Sequence, residues 1–416
     1  MTIAGQSKDA DHIEKCVLLY SGGLDTSCML KWIQEKYDCD VISLTLNVGQ
    51  MTKDFQEIEK KAYDLGAKKH YTIDARKEFI DEYAMRALKA NALYEDVYPV
   101  SSSIARPLLA KWAVKIARKE KADAIAHGCT GKGNDQIRFN VTIKALAPDI
   151  KIIQPVLEWN LSRDEEIEYA KKHGIPLPVD IDSPYSIDEN LWGRSIECGP
   201  LEDPFCEPPE DAFAWTCPPE KAPDRPEYLE IEFRSGVPVA INGDYMDTVK
   251  IVETLNKIGG VHGVGRLDHI EDRIVGIKSR EVYECPAAMI LITAHKDLEK
   301  MVCTRHEILF KSIVDKEWTY LAYAGLWVDP LREDLEAFID KVNEKVNGVV
   351  RVKLYKGSVQ VVGRKSEYSL YDYHLATYEK ISTFDQKLAR GFVELWGLPS
   401  VLAHRVLKAQ GLREDI

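Results

Sequence analysis

The sequence predicts an α/β protein, in which a doubly wound parallel sheet is followed by a second, α+β domain and a helical C-terminal arm. From residue 15 to about 179, short β-branched runs alternate with helical patterns, the order required by a parallel sheet covered on both faces. A stretch at 199–226 then holds 8 of the 19 prolines, which bars most of its backbone from ladders and helix interiors. Beyond it strand-like runs predominate, with one clear helix among them, which suits an α+β domain.

In chain order, strands are expected at 16–20, 41–46, 69–73, 122–126 and 151–153. Between the second and third, Phe55, Ile58, Ala62 and Leu65 fall at helical spacing and form one apolar face. Ser162 followed by Glu165 reads as a capping box that starts another helix, with Leu161 as its staple. The proline-rich stretch is expected to be a long surface excursion. After it come strands at 228–233 and 237–241, a helix near 245–258, and further strands including 288–293 and 348–362. In the tail, two apolar-periodic segments at 383–412 are separated by Gly397 and Pro399. Leu395, Leu398, Leu402, Val406 and Leu407 form an apolar face there that needs cover, from another subunit or from its own domain. These signals divide the chain into an extension (1–14), a first domain (15–180), a second domain (181–364) and an arm (365–416).

Composition narrows the class of function. With 416 residues, 45% of them hydrophobic, the chain can build at least two cores. No apolar run reaches the 18 or so residues of a membrane span, and residues 1–15 are polar and acidic, so a cytoplasmic protein is expected. The nine cysteines form no C-x-x-C pair, which signals neither a zinc site nor a redox motif. A formal charge of -12 disfavours a nucleic-acid footprint, leaving small molecules as the expected partners.

Directly after the first strand comes Ser21-Gly22-Gly23-Leu24-Asp25-Thr26-Ser27, and then a helical pattern. A strand that ends in two glycines and re-enters as a helix presents free N–H groups at the positive end of the helix dipole, which is an anion site. Ser21, Thr26 and Ser27 add hydroxyl donors. A bare S-G-G suits an ordinary strand-to-helix turn as well, with Ser21 or Asp25 as its cap. A second glycine loop follows the fourth strand: Ala126, His127, Gly128, Cys129, Thr130, Gly131, Lys132, Gly133, Asn134 and Asp135, leading on to Arg138. Neither loop is a Walker A motif, which needs G-x-x-x-x-G-K-[ST]. Ligands of open α/β sheets bind at the carboxyl ends of strands, where both loops lie.

The full string SGGLDTS on a first strand resembles the pyrophosphate loop of the N-type ATP pyrophosphatase superfamily. Together with LNVGQ (46–50), LYEDVY (93–98), SSSIARP (101–107), HGCTGKGNDQIRF (127–139), SIDENLWGRSIE (186–197), GVGRLDHIEDR (263–273) and KSREVYECPA (278–287), it is similar to argininosuccinate synthetase from about Cys16 to Arg364. The resemblance implies ATP cleavage between the α and β phosphates, with Mg²⁺ on the phosphates, and ligation of citrulline to aspartate through a citrullyl adenylate. It also implies a homotetramer built through the C-terminal arm.

Carried over motif by motif, the resemblance implies that Leu19, Tyr20, Ser21, Gly22, Gly23, Leu24, Asp25, Thr26 and Ser27 contact ATP, with Leu46 near the adenine. Ala126 to Asn134 of the second loop join them. Citrulline falls to Tyr98, Ser103, Asn134, Arg138, Ser186, Ser195, Glu271 and Tyr283, and aspartate to Thr130, Asn134 and Asp135. Read singly, Tyr98 and Tyr283 also suit packing aromatics, Ser186 and Ser195 suit helix caps, and Glu271 suits a solvated acid. Asp25 is the carboxylate nearest the phosphates, with a helix-terminal role as its alternative. Asp25 and Asp135 are the catalytic candidates, and the role of His127 is open. No protein nucleophile is needed, so positioning and charge stabilisation carry the chemistry.

Overall fold

A computed structural model describes residues 12–50, 54–159, 163–177 and 183–414. The Ser162 capping box and its Leu161 staple lie outside these residues, although a helix does run over Arg163–Lys172.

The first sheet is parallel, with strands β1 (Lys15–Leu19), β2 (Asp40–Asn47), β3 (Lys69–Asp74), β4 (Ala124–Ala126) and β5 (Lys151–Ile153) in the order β3-β2-β1-β4-β5. Its central strands are buried on both faces, as in β1, where only Lys15 is partly open, and this is why they read as continuous apolar runs. The order reverses between β1 and β4, which makes the carboxyl edge there the crevice of the sheet. Phe55–Asp64 is the expected amphipathic helix, and Asp54 caps it by accepting the N–H groups of Gln56 and Glu57.

Two antiparallel sheets follow. One is ordered β11-β12-β7-β6, from β6 (Ser186–Asn190), β7 (Gly193–Glu197), β11 (Arg266–Asp272) and β12 (Lys278–Glu284). The other is ordered β10-β9-β8-β13-β14, from β8 (Glu227–Arg234), β9 (Val237–Ile241), β10 (Asp244–Tyr245), β13 (Gly348–Tyr355) and β14 (Ser358–Lys365). Ser186 and Ser195 therefore lie in a hairpin and cap no helix. A single apolar cluster runs from the first sheet through Trp192 and Tyr283 to β13, and residues up to Tyr368 form one compact unit.

Three sequence expectations need correction. Residues 288–293 belong to the helix Pro286–Val302, not to a strand. Pro286 sits at its first turn, where a missing N–H costs nothing, and the helix is buried against β13, β14 and the helix Thr248–Val261, so its run is apolar on most sides. The tail, a second compact unit from Ser369, holds one unbroken helix, Leu388–Ala409, that carries Gly397 and Pro399 inside it. The proline-rich stretch is more than a surface excursion, because it wraps a buried carboxylate. Glu284, with no exposed surface, accepts the N–H groups of Ala214, Trp215 and Thr216 at 2.8–3.0 Å, the Thr216 hydroxyl at 2.7 Å and Arg194 Nη1 at 2.7 Å. No helix among the described residues is long and apolar enough to cross a membrane.

Candidate functional site

β1 and β4 are neighbours, with Leu18 opposite Ala126, so the loops that leave their ends emerge side by side. In the first, Gly22 takes φ +77°, a conformation that glycine adopts without steric cost. Gly23 opens the helix Leu24–Tyr37 in extended backbone with no side-chain cap, leaving the terminal N–H groups without the usual capping oxygen. The hydroxyls fix the loop: Ser27 Oγ donates to the Gly23 carbonyl at 2.7 Å, Ser21 Oγ and Thr26 Oγ1 lie 3.1 Å apart, and Lys61 Nζ donates to the Gly22 carbonyl at 3.0 Å. Asp25 stands exposed on the first helical turn. The second loop rests on this helix, since a Cβ on Gly128 would lie 2.7 Å from Met29 Cε.

The second loop forms one wall of a cleft of about 790 Å³. Gly128, Cys129, Thr130, Lys132, Gly133, Asn134 and Asp135 line it with Tyr98, Arg138, Ser186, Ser195, Glu271 and Tyr283. The geometry thus gathers segments spread over 186 positions of sequence (98 to 283) into one cavity. Gly131 is exposed at the loop tip. Leu19, Tyr20, Leu24, Leu46 and Ala126 are buried in the core beneath the loops.

Ser103 departs from expectation. It is wholly buried and its hydroxyl has no hydrogen-bond partner, whereas Ser102 lines the cleft and its Oγ lies 3.5 Å from Ser195 Oγ. Both sit in the helix Ser101–Glu120, where one residue is a 100° rotation. Tyr98 anchors the start of that helix, its hydroxyl accepting the Ser102 N–H at 2.8 Å while its ring stacks on Tyr283, centroids 4.2 Å apart. Val100 between them takes φ +49°, unusual for a β-branched residue, and it is completely buried.

Charge in the cleft is organised by arginines. Asp135 Oδ2 accepts Arg106 Nε at 2.8 Å, Oδ1 accepts Arg138 Nη1 at 2.8 Å, and Arg106 Nη2 also reaches Asp188 Oδ2 at 2.7 Å. Burial alone would raise the Asp135 pKa, but the two guanidinium groups outweigh it and hold it at about 2. Arg273 Nη2 bridges Glu197 Oε2 and Glu281 Oε1 at 2.7 and 2.6 Å. Burial, and then the neighbouring Glu197, push Glu281 up to about 7. Glu271 accepts two hydroxyls, Tyr283 at 2.7 Å and Tyr323 at 2.6 Å. Sequence reasoning missed Ser102, Arg106, Arg273 and Tyr323. Of these, Ser102 and Arg106 lay within the quoted SSSIARP and Arg273 ended GVGRLDHIEDR, while Tyr323 had no motif around it.

His127 is buried, with both ring nitrogens occupied. Nδ1 accepts the Cys129 N–H at 3.3 Å, which leaves Nε2 to donate to Asn140 Oδ1 at 2.9 Å, and burial pushes its pKa down. A neutral imidazole with both nitrogens engaged holds the loop in place and is poorly suited to carrying a proton.

An open α/β sheet whose two glycine loops leave neighbouring strands at its switch point, with a polar cleft beside the second, defines the class of α/β proteins that hold a small ligand at the carboxyl ends of their strands. Models of two families match this chain, the arginosuccinate synthase N-terminal HUP domain over residues 15–176 and the arginosuccinate synthase C-terminal domain over 185–403. Argininosuccinate synthase of Pyrococcus furiosus is 61% identical over 94% of this chain and 95% of its own length. That of Dehalococcoides mccartyi strain BAV1 is 55% identical over 94% and 96%, and that of Symbiobacterium thermophilum 54% over 95% and 99%. The chain belongs to the argininosuccinate synthase family, ATP-dependent ligases of citrulline and aspartate in arginine biosynthesis.

Proposed function

We propose that the cleft beside the second glycine loop is where citrulline and aspartate are joined, and that SGGLDTS grips the departing pyrophosphate. The observation that carries this reading is the adjacency of the two loops at the β1/β4 switch point, with the substrate cleft opening on the second.

Citrulline lies along Tyr98, Asn134, Arg138, Ser186, Ser195 and Tyr283, its carboxylate matched to guanidinium and hydroxyl donors and its ammonium to Glu271. Ser102 replaces Ser103 on this wall, because its hydroxyl faces the cleft. Aspartate takes Thr130, Asn134 and Asp135. The uncapped N–H groups after Gly23, with the Ser21 and Thr26 hydroxyls, stabilise charge on the leaving phosphates, and the ureido oxygen attacks the α-phosphorus. The amine of aspartate then displaces AMP. Asp135, held near 2, stays ionised throughout and orients the aspartate ammonium; an acid that strong is a poor acceptor for the proton of the attacking amine.

Mg²⁺ fits as an ion carried by the ATP phosphates. The charge on the phosphate oxygens calls for such an ion, and Asp25 is the exposed carboxylate on the loop that would help hold it. When bound, the ion neutralises phosphate charge.

Incubation with ATP, Mg²⁺ and citrulline, with and without aspartate, tests the reading: AMP and pyrophosphate should appear in equal amounts and depend on aspartate. AMP release that does not depend on aspartate, or no AMP at all, contradicts it. We further place the chain in the cytoplasm as a homotetramer joined through the arm, whose helix carries Phe392, Leu395, Trp396 and Leu402 without burying any of its own side chains. Light scattering should then give about four times the 47.2 kDa of one chain, and a single species of subunit mass would exclude it.

A further inference from the structure

Tyr323 ends the helix Arg305–Tyr323, far in sequence from both glycine loops, yet it touches three residues that the proposed function assigns to substrate. Its hydroxyl lies 2.6 Å from Glu271 Oε1 and 2.9 Å from Asn134 Nδ2. Its carbonyl accepts two N–H groups of Arg138, from Nε at 3.0 Å and Nη2 at 2.8 Å, and the Arg138 guanidinium lies 5.0 Å from the centre of its ring.

Donor and acceptor roles follow from residue type. An ionised carboxylate only accepts, so the Tyr323 O–H donates to Glu271, and the hydroxyl oxygen accepts from the Asn134 amide. Asn134 Oδ1 accepts the Ile274 N–H at 2.8 Å, which fixes the amide the same way round. The result is a directed chain from Asn134 through Tyr323 to Glu271, with the second Glu271 oxygen taken by Tyr283 at 2.7 Å. One Asn134 N–H and further lone pairs on Glu271 remain for substrate. The ring itself is held by stacking on Tyr94, centroids 3.5 Å apart. Gly325, at φ +78°, lets the chain turn away close to Arg138, where a Cβ would lie 2.8 Å from Arg138 Cα.

We propose that Tyr323 is a positioning residue for the ligation. Its hydroxyl sets the Glu271 carboxylate and the Asn134 amide against each other, so the citrulline ammonium site and the second glycine loop are held by one shared group. This rests on the assignment of Glu271 and Asn134 above and adds a residue that those assignments do not contain.

Tyr323→Phe keeps the ring, its stacking and the carbonyl, and removes only the hydroxyl. In citrulline-dependent exchange of pyrophosphate into ATP, the variant should raise KM for citrulline roughly tenfold, the scale of one lost charge-assisted hydrogen bond, with KM for ATP changed less than twofold. A role confined to stability would lower the thermal midpoint without that split. Glu271→Gln is measured alongside. If it raises the citrulline KM and Tyr323→Phe does not, the positioning role is overturned while the site assignment stands; if Glu271→Gln leaves the citrulline KM unchanged, the assignment fails and the proposal with it. Should Tyr323→Phe not fold, 3-fluorotyrosine at position 323 retains the hydroxyl but weakens its acceptance from Asn134. The citrulline KM should then change more than twofold, and an unchanged value overturns the proposal.

Discussion

Asp135→Asn is expected to cut argininosuccinate formation by about a hundredfold or more, while citrulline-dependent exchange of pyrophosphate into ATP stays within a few-fold of the parent. The split follows from how the carboxylate is shared. Asp135 pairs with Arg106 and Arg138, but Arg138 has a second holder, the Tyr323 carbonyl, which takes two of its N–H groups. Arg138 therefore remains in place for citrulline when Asp135 loses its charge, and the adenylate still forms. The aspartate ammonium has no such substitute. Asparagine is preferred to alanine here because it keeps an acceptor between two guanidinium groups that would otherwise face a void. Joint loss of exchange and product would show that Asp135 serves the first step. The same substitution has a signature in acid. A carboxyl held at about 2 against an ordinary 3.8 contributes stability that is complete above pH 4 and lost as pH falls towards 2. The contribution is about 2 kcal/mol at neutral pH, and unfolding curves of the variant between pH 4 and 2 should lack that slope.

The five parallel strands and both glycine loops were legible because each depends on local sequence alone. A strand buried on both faces must be an apolar run, and a loop that offers backbone to an anion must be rich in glycine and small hydroxyls. Pro286–Val302 was misread for the converse reason. A helix packed on most sides is apolar on most sides, so residues 288–293 lose the 3.6-residue signal that separates helix from strand. Glu284 gave no sign of its role either, since a lone acid at a strand end reads as solvated until the proline-rich stretch is seen folding its N–H groups onto it.

Within the cleft, the expected residues that the fold brings onto its walls stood in strings that mixed donors, acceptors and glycine at close spacing. The exceptions are geometric. Ser102 and Ser103 differ only by a helical rotation, so assigning the hydroxyl requires knowing where the helix Ser101–Glu120 begins, and that start is set by the left-handed Val100. Arg106, Arg273 and Tyr323 act through partners on other elements, at separations of 29, 141 and 189 residues in sequence to Asp135, Lys132 and Asn134. Such pairings are products of tertiary packing and leave no periodicity to read.

Gly22→Ala and Gly23→Ala, adjacent in the phosphate loop, are expected to fail differently. Gly22 needs its left-handed backbone, at about 1 kcal/mol for any residue with a Cβ, and that Cβ would lie 2.7 Å from Ile58 Cγ1. Ile58 is 8% exposed and packs into the core from the helix Phe55–Asp64, so it cannot yield without disturbing that helix, which also carries the Lys61 ammonium bound to the Gly22 carbonyl. Gly22→Ala should therefore lower the thermal midpoint by several degrees and raise KM for ATP at least tenfold in the exchange assay. Gly23 has φ -69°, which any residue adopts, and a Cβ there meets only Ser21 Oγ at 3.3 Å. Its alanine variant should keep the parent's midpoint and still weaken ATP, because the added methyl stands where a phosphate approaches the backbone. A Gly22→Ala protein as stable as the parent would refute the conformational half of this account. Unaltered ATP kinetics in Gly23→Ala would refute the other half and move the phosphate grip away from the glycine that opens the helix.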